Sequence, residues 1–320
     1  MKKEREKKRR RRVILSLVVG FIVAVIALIA YFIPFRKLLP AYRIPERREG
    51  ELRMHFLYVG QGDCTIIEFP EGDVLVIDAG DGSFSVENGL VRYLKGLRPR
   101  SVSMLLTHAD IDHYGGFAGL LEVFQADRFY LPVISSEAQD YRSLLKKIEK
   151  TGLKTQVLTR YGVIESPSGA YLVCLSPYSQ GETDENDSST VLYLNYGGVS
   201  AVLGGDITEA REKRLVEEYA IDETLFDSGE HEVRLSGVDI LKAAHHGSRY
   251  SSSEEWLRLL SPKTAIISCG IGNAYAHPTG EVIARLKAAS PNVKVYRTDE
   301  FEHIIVSIYE GKYTVLTDWE

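Results

Sequence analysis

Cysteine is scarce: the 320 residues hold three, Cys64, Cys174 and Cys269, and no two of them share a CxxC spacing. A sulfur-rich zinc site is thereby excluded. An odd count inside strand-like apolar runs marks each as a small buried residue rather than half of a bridge. Heptads, low-complexity tracts and solenoid periods are also missing, while 44% apolar residues and 10% aromatics suffice for a real core. Acidic residues outnumber basic ones in the body of the chain. The net charge is -5, yet residues 1–12 carry +7 and residues 36–53 carry +3, which leaves about -15 on residues 54–320. Such a body is a poor non-specific binder of nucleic acid, because affinity for phosphates comes largely from Lys and Arg displacing counterions.

Charge of either sign is missing from Val13 to Phe35, 23 residues with Tyr31 and Phe32 near one end. A helix of that length crosses a hydrocarbon core of roughly 30 Å, so a transmembrane helix is expected over 13–35. The basic run Lys7 to Arg12 precedes it, and the positive-inside rule then keeps residues 1–12 in the cytoplasm and places the rest outside, as a single-pass protein of the cell membrane. The competing expectation is a secreted product, cleaved after Val25-Ile26-Ala27. Residues 36–50, with Pro40, Pro45 and many charges, read as a linker ahead of a domain over 51–320.

That domain opens as a β meander. Leu52–Tyr58, Cys64–Phe69 and Val74–Ile77 are apolar or alternating runs, separated by the turn signals Gly60-Gln61-Gly62-Asp63 and Pro70-Glu71-Gly72-Asp73. Helical spacing over 86–97, 114–124 and 136–150 then alternates with strands at 104–107, 128–131 and 157–158. The second half has strands at 171–175, 191–196, 199–203, 238–242, 265–268, 294–296, 303–308 and 313–316, with helices over 208–219, 253–260 and 279–288. Two β-rich halves, each with helices, predict an α+β fold of two packed sheets with helices outside.

The chemistry concentrates in Thr107-His108-Ala109-Asp110-Ile111-Asp112-His113, two histidines and two aspartates within six residues on a strand-to-helix loop. Imidazole suits zinc and related ions and carboxylates suit harder ions such as manganese, so the loop can serve one metal or feed two. The bland alternative is that Asp112 caps a helix starting at Tyr114 and the histidines only pack. Two later stretches share the grammar of an apolar strand ending in polar residues beside glycine. One is Gly204-Gly205-Asp206, where Asp206 is as readily a helix cap. The other is His245-His246-Gly247-Ser248, whose adjacent imidazoles at a loop rim favour a ligand.

Taken in order, Phe56 to Asp63, Val76-Ile77-Asp78-Ala79-Gly80, the 108–113 loop, Gly204 to Ile207, His245 to Ser248 and Asn273 to Pro278 make the chain resemble the metallo-β-lactamase superfamily. Within it, the resemblance is to the hydrolase domain of ComEC-type DNA-uptake proteins, over about Glu51 to Asp318. It implies an αββα sandwich with two divalent ions at one edge. His108 and Asp110 would hold the first ion, Asp112 and His113 the second, and Asp206 would bridge them. One of His245 and His246, with His245 favoured, would complete the second. The superfamily usually has histidine where Asp110 stands, which makes manganese more plausible here than in a zinc lactamase. No histidine lies between His113 and His231 to complete the first ion; Asn186 or Asp187 is the stand-in.

Asp78 is a candidate for orienting a ligand. Asn186, Ser248, Asn273, Tyr275 and His277 are candidates for touching substrate, and His55, His231 and His303 are read as structural. Asp112 and Asp206 would carry the catalytic role, with a metal-activated water as nucleophile. The expected activity is that of a membrane-anchored phosphodiesterase or nuclease. The rivals are hydrolysis of a small phosphoester, ester or lactone, and a non-catalytic binding module. With one apolar segment and an acidic body, DNA transport by this chain alone is not expected.

Overall fold

Strands buried on both faces read as nearly continuous apolar runs, and their two faces separate by parity. In Val191–Tyr196, Leu192 and Leu194 enter one core while Val191 and Tyr193 enter another. That pattern predicts a layer on each side of a sheet. A computed structural model describes residues 10–23, 35–178, 181, 183–221 and 231–317. They fall into two units divided between Pro40 and Ala41. The first unit contains a helix, α1, over 10–23, and a 3-10 turn at Phe35–Leu38.

In the second unit, the strands are β1 (Leu52–Phe56), β2 (Thr65–Glu68), β3 (Asp73–Ile77), β4 (Ser101–Leu105), β5 (Arg128–Leu131), β6 (Lys154–Val157), β7 (Val163–Glu165), β8 (Tyr171–Ser176), β9 (Val191–Tyr196), β10 (Val199–Leu203), β11 (Ile240–Lys242), β12 (Thr264–Ile267), β13 (Lys294–Arg297), β14 (Ile304–Tyr309) and β15 (Lys312–Leu316). One sheet has the order β15-β14-β1-β2-β3-β4-β5-β6 and the other β13-β12-β11-β10-β9-β8-β7. Each is antiparallel in one half and parallel in the other, the change falling at β3 and at β10. The apolar core between them interleaves Leu52, Met54, Phe56, Leu75 and Ile77 of the first sheet with Leu172, Leu192, Leu194, Leu203 and Ile266 of the second.

Helices cover the outer faces, so the predicted two-sheet arrangement with helices outside is present. Beside the first sheet lie α2 (Phe84–Leu97), the single turn α3 (Ile111–Tyr114), α4 (Phe117–Val123) and α5 (Gln139–Thr151), with Phe117 edge-on to Phe129 at 4.9 Å. On the second sheet lie α6 (Glu209–Ile221), α7 (Glu254–Leu260) and α8 (Gly280–Ala289), anchored by Leu215, Trp256, Leu257 and Leu286. A last turn, α9 (Thr298–Phe301), precedes β14. The helix expected from Tyr114 begins instead at Phe117, after the separate turn α3, and the intervening Gly115 and Gly116 sit against backbone: a Cβ on Gly116 would meet Ala79 O at 2.1 Å. All three cysteines are free and buried.

The membrane-spanning expectation over 13–35 is corrected. The described helix of that region covers 10–23, and among the described residues no helix is long and apolar enough to cross a membrane. The structure therefore does not support a single-pass membrane protein. Residues 24–34 of the apolar run, and 1–9 of the basic stretch before it, lie outside the described residues. Residues after Ala41 lie against the first sheet: Arg53 donates to Pro45 O and Glu46 O at 2.6 and 2.8 Å, and Tyr42 N–H to Arg92 O at 2.8 Å.

One buried clamp bears on the site. The Glu212 carboxylate on α6 accepts the Ser252 and Ser253 N–H groups at 2.6 and 2.7 Å, tying the helix that follows Asp206 to the loop that follows His246. Burial raises its pKa to about 7 against the pull of those donors. Glu212→Ala leaves both N–H groups without a partner and is expected to lower unfolding free energy by about 3 kcal/mol, read by urea denaturation. A loss below about 0.5 kcal/mol, the range of ordinary surface substitutions, would show the clamp to be idle.

Candidate metal centre

At one end of the sandwich β4, β10 and β11 run out into loops. The first sheet contributes the 107–110 loop and α3, and the second contributes the Gly204-Gly205-Asp206 turn and a 3-10 turn at His245–Gly247. Backbone bonds tie the pieces: Thr190 N–H to Thr107 O at 3.1 Å, His245 N–H to Gly205 O at 3.0 Å and Asp63 N–H to Asp112 O at 3.2 Å. Glycine is required at 62, where φ is 143° and a Cβ would meet Asp112 O at 2.4 Å.

Three buried imidazoles converge on one carboxylate. His113 Nδ1 donates to Asp78 Oδ2 at 2.8 Å. The Thr107 hydroxyl also donates to that oxygen at 2.8 Å, so it accepts from His108 Nδ1 at 3.1 Å. His246 Nδ1 donates to the Ser268 carbonyl at 3.1 Å. Each Nδ1 is thus spent as a donor, and each Nε2 is left to present its lone pair inward. The Nε2 atoms of His113 and His246 each stand 3.4 Å from Asp206 Oδ2, and that of His246 stands 3.4 Å from Asp112 Oδ2. His108 and His113 have ring centroids 4.1 Å apart.

Among the described residues, the buried atoms without a hydrogen-bond partner include these three Nε2 atoms and Asp206 Oδ1. Ligand atoms of His108, His113 and Asp206 lie within 4.8 Å of one another, as do those of Asp112, His113 and His246, and those of Asp63, Asp78 and His113. Orphaned nitrogen and oxygen donors grouped this closely fit divalent cations.

The electrostatics say the same. Burial disfavours charge on His113, but Asp206 and Asp78 outweigh it and raise its pKa well above the imidazole value. Asp206 is fully enclosed, which would raise its pKa, yet His113 and His246 hold it well below the carboxylate range. Burial likewise opposes ionisation of Asp112, and His246 and His113 bring it from 3.8 to about 2. The carboxylates thus favour positive charge at His113 and His246, and bound cations would supply that charge instead.

The remaining predicted residues divide by what their polar atoms already do. Asp112 lies inside α3 and faces His246, so it is not a cap. Asp110 is half exposed, its Oδ2 3.5 Å from His108 Nε2. Of the two adjacent histidines, the structure brings His246 into the cluster with Asp112, His113 and Asp206. Both residues have left-handed backbone, φ 52° and 54°, and the double turn sends His246 inward while His245 stays at the rim with its ring 5.9 Å from that of His277. Asp187 Oδ1 accepts the N–H and hydroxyl of Thr208. Asn186 is half buried in the same loop, its carbonyl accepting Ser189 N–H.

Asn273 spends both donors and both lone pairs on Gly270, Tyr275 and His277, which makes it a loop brace rather than a substrate contact. Ser248 Oγ turns back to accept Tyr250 N–H at 3.4 Å. Tyr275 is exposed and stacks on His277 at 5.6 Å; burial and the neighbouring His246 and His245 lower the His277 pKa to about 4. Asp78, in left-handed conformation, holds Thr107 and His113 together. His55, His231 and His303 pair with Glu68, Glu165 and Tyr58 N–H away from the cluster.

Sequence reasoning missed Ser189, whose hydroxyl accepts Asp206 N–H at 3.1 Å, and the buried pair of Lys242 with Asp63. A lysine inside an apolar strand was the available signal for that pair.

A sequence profile described as Metallo-beta-lactamase superfamily matches residues 57–271. Among curated proteins, ComE operon protein 3 of Bacillus subtilis (strain 168) is 32% identical over 270 residues, 79% of this chain and 32% of that protein. Competence protein ComA of Neisseria gonorrhoeae is 26% identical over 260 residues, 81% of this chain and 33% of its own length. The chain thus spans about a third of the curated relatives it matches. Among solved structures, the metallo-beta-lactamase fold protein YhfI from Bacillus subtilis aligns over 80% of this chain and 100% of its own at TM-score 0.50 and 10% identity, a likeness of fold.

In the metal-free protein, the depressed Asp112 carboxyl contributes stability that is complete above its unfolded value near 3.8 and is lost as pH falls toward about 2. Asp112→Asn should therefore remove up to about 2 kcal/mol at pH 6 and almost nothing at pH 2, measured by denaturation of chelator-treated protein. Parallel curves at all pH values would contradict this.

Proposed function

The chain belongs to the metallo-beta-lactamase superfamily, metal-dependent hydrolases, and on that premise we propose that it hydrolyses phosphodiesters of nucleic acid at a two-ion centre. The observation that carries the reading is the convergence of His108, His113 and His246 Nε2 on Asp206, each ring fixed through its Nδ1. His108 and Asp110 would hold one ion, Asp112, His113 and His246 the other, and Asp206 both. Divalent ions bound there activate water and neutralise charge on the attacked group. Manganese is as suitable as zinc, because Asp110 places a carboxylate oxygen where imidazole is usual in the superfamily.

The chain's own residues supply the preorganisation. Asp78 fixes His113 directly and His108 through the Thr107 hydroxyl, and the Ser268 carbonyl fixes His246. With their Nδ1 protons committed, these rings need no rearrangement to present Nε2. Tyr275, His277 and His245 form one wall beside the cluster, where a substrate's flanking groups would lie. The choice of phosphodiester draws support from a relative named for competence.

Asp206→Ala is expected to cut turnover of a chromogenic phosphodiester and of single-stranded DNA, with manganese or zinc, by more than about 100-fold while far-UV circular dichroism is unchanged. Retained activity in that variant would refute the site. Cleavage of esters or lactones with no phosphodiester cleavage by the parent chain would refute the substrate class.

A further inference from the structure

Beneath the donor cluster a lysine–aspartate ion pair crosses between the sheets. Lys242, the last residue of β11, donates through Nζ to Asp63 Oδ2 just ahead of β2, 179 residues away in sequence, and the two side chains are 5% and 2% exposed. Asp78 and Thr107 line the same small space from one sheet, and Thr190 and Gly205 from the other. Burial pulls the Lys242 pKa down, and Asp63 and Asp206 outweigh it, so the ammonium stays charged.

Both partners continue into the site through backbone. The Lys242 carbonyl accepts Gly204 N–H at 3.2 Å, at the start of the turn that carries Asp206. The Asp63 N–H donates to Asp112 O at 3.2 Å, its carbonyl accepts Gly80 N–H at 2.9 Å, and its Oδ1 stands 3.8 Å from His246 Nδ1. A continuous path thus runs from the Asp206 turn through Lys242 and Asp63 to Asp112, with His246 alongside. A buried ion pair is not needed for adhesion, since well-packed apolar residues hold two sheets together as well or better. What a charged pair adds is a fixed direction and separation, and a cation spent on Asp63 does not repel metal above it.

We propose that Lys242 and Asp63 form a positioning unit that sets the separation of the two half-sites and so places Asp112 and His246 for the second ion. This rests on the two-ion reading of the preceding section. Neither residue touches the reacting atoms.

The test uses the full chain cleared of metal and titrated with manganese by calorimetry, and with cobalt by visible absorption as a probe of ligand geometry. The parent chain is expected to take two ions. Lys242→Met should leave the first intact and weaken the second by about 10–100-fold, with an altered cobalt spectrum. Asp63→Asn, nearly isosteric, should shift the second ion the same way by less, and it carries the test should Lys242→Met fail to fold.

The double variant removes both buried charges. It should regain the parent's unfolding midpoint without regaining second-ion affinity, whereas a merely structural pair would regain both. Parent-like second-ion affinity and cobalt spectra in the single variants would overturn the positioning role while the two-ion reading stands. A parent chain taking fewer than two ions would overturn the reading and this role together.

Discussion

The structure depends on bringing like charges together at one end of the sandwich, where interior strands of both sheets run out into loops. Asp63, Asp78 and Asp206 are buried within one small region, and Asp112 faces the same cluster. Carboxylates taken out of water are costly unless cations or donors surround them. Here the balance is met by Lys242, by His113 and His246, whose pKa values the carboxylates raise against the effect of burial, and by N–H donors such as that of Thr107. A site arranged this way is held together by charge that divalent ions can assume, and the fold's main task is to keep the carboxylates from separating.

That task explains the sandwich. His108, Asp110, Asp112 and His113 belong to the first sheet and Asp206 and His246 to the second. The apolar interface is non-directional: Leu, Ile and Val side chains hold the sheets together but tolerate small slides. Register at the edge is instead set by directional links, Thr190 to Thr107, His245 to Gly205, Asp63 to Asp112 and Lys242 to Asp63. Close glycine contacts at 62 and 116 let the loops approach near enough to make them. The Glu212 clamp performs the same service one layer outward, joining α6 to the loop ahead of α7.

Much of this was legible along the chain. Strands such as Val191–Tyr196 and Val199–Leu203 were found with their observed ends, because turn residues bracket short apolar runs. Helix ends were less legible: the helix read as starting at Tyr114 starts at Phe117, and the turn α3 lies where a loop was read, with Gly116 held against Ala79 in a way that no local pattern announces. The span over 13–35 read as a membrane helix because hydropathy sums composition, whereas among the described residues no helix is long and apolar enough to cross a membrane. Asn273 looked like a substrate contact for its residue type, and only its four hydrogen bonds show that its polar atoms are consumed.

What the sequence by itself determined is the kind of chemistry: a dense loop of His108, Asp110, Asp112 and His113, no sulfur donors, and Asp206 and a histidine pair at later strand ends. Those are properties of residue type and local spacing, which a linear chain displays. The tertiary structure alone decided that His246 rather than His245 turns inward, that every inward ring is fixed through Nδ1, and that Lys242 of one sheet closes on Asp63 of the other. Such decisions turn on backbone handedness at single residues and on contacts across 179 positions of sequence, and neither is written in the neighbourhood of the residues concerned.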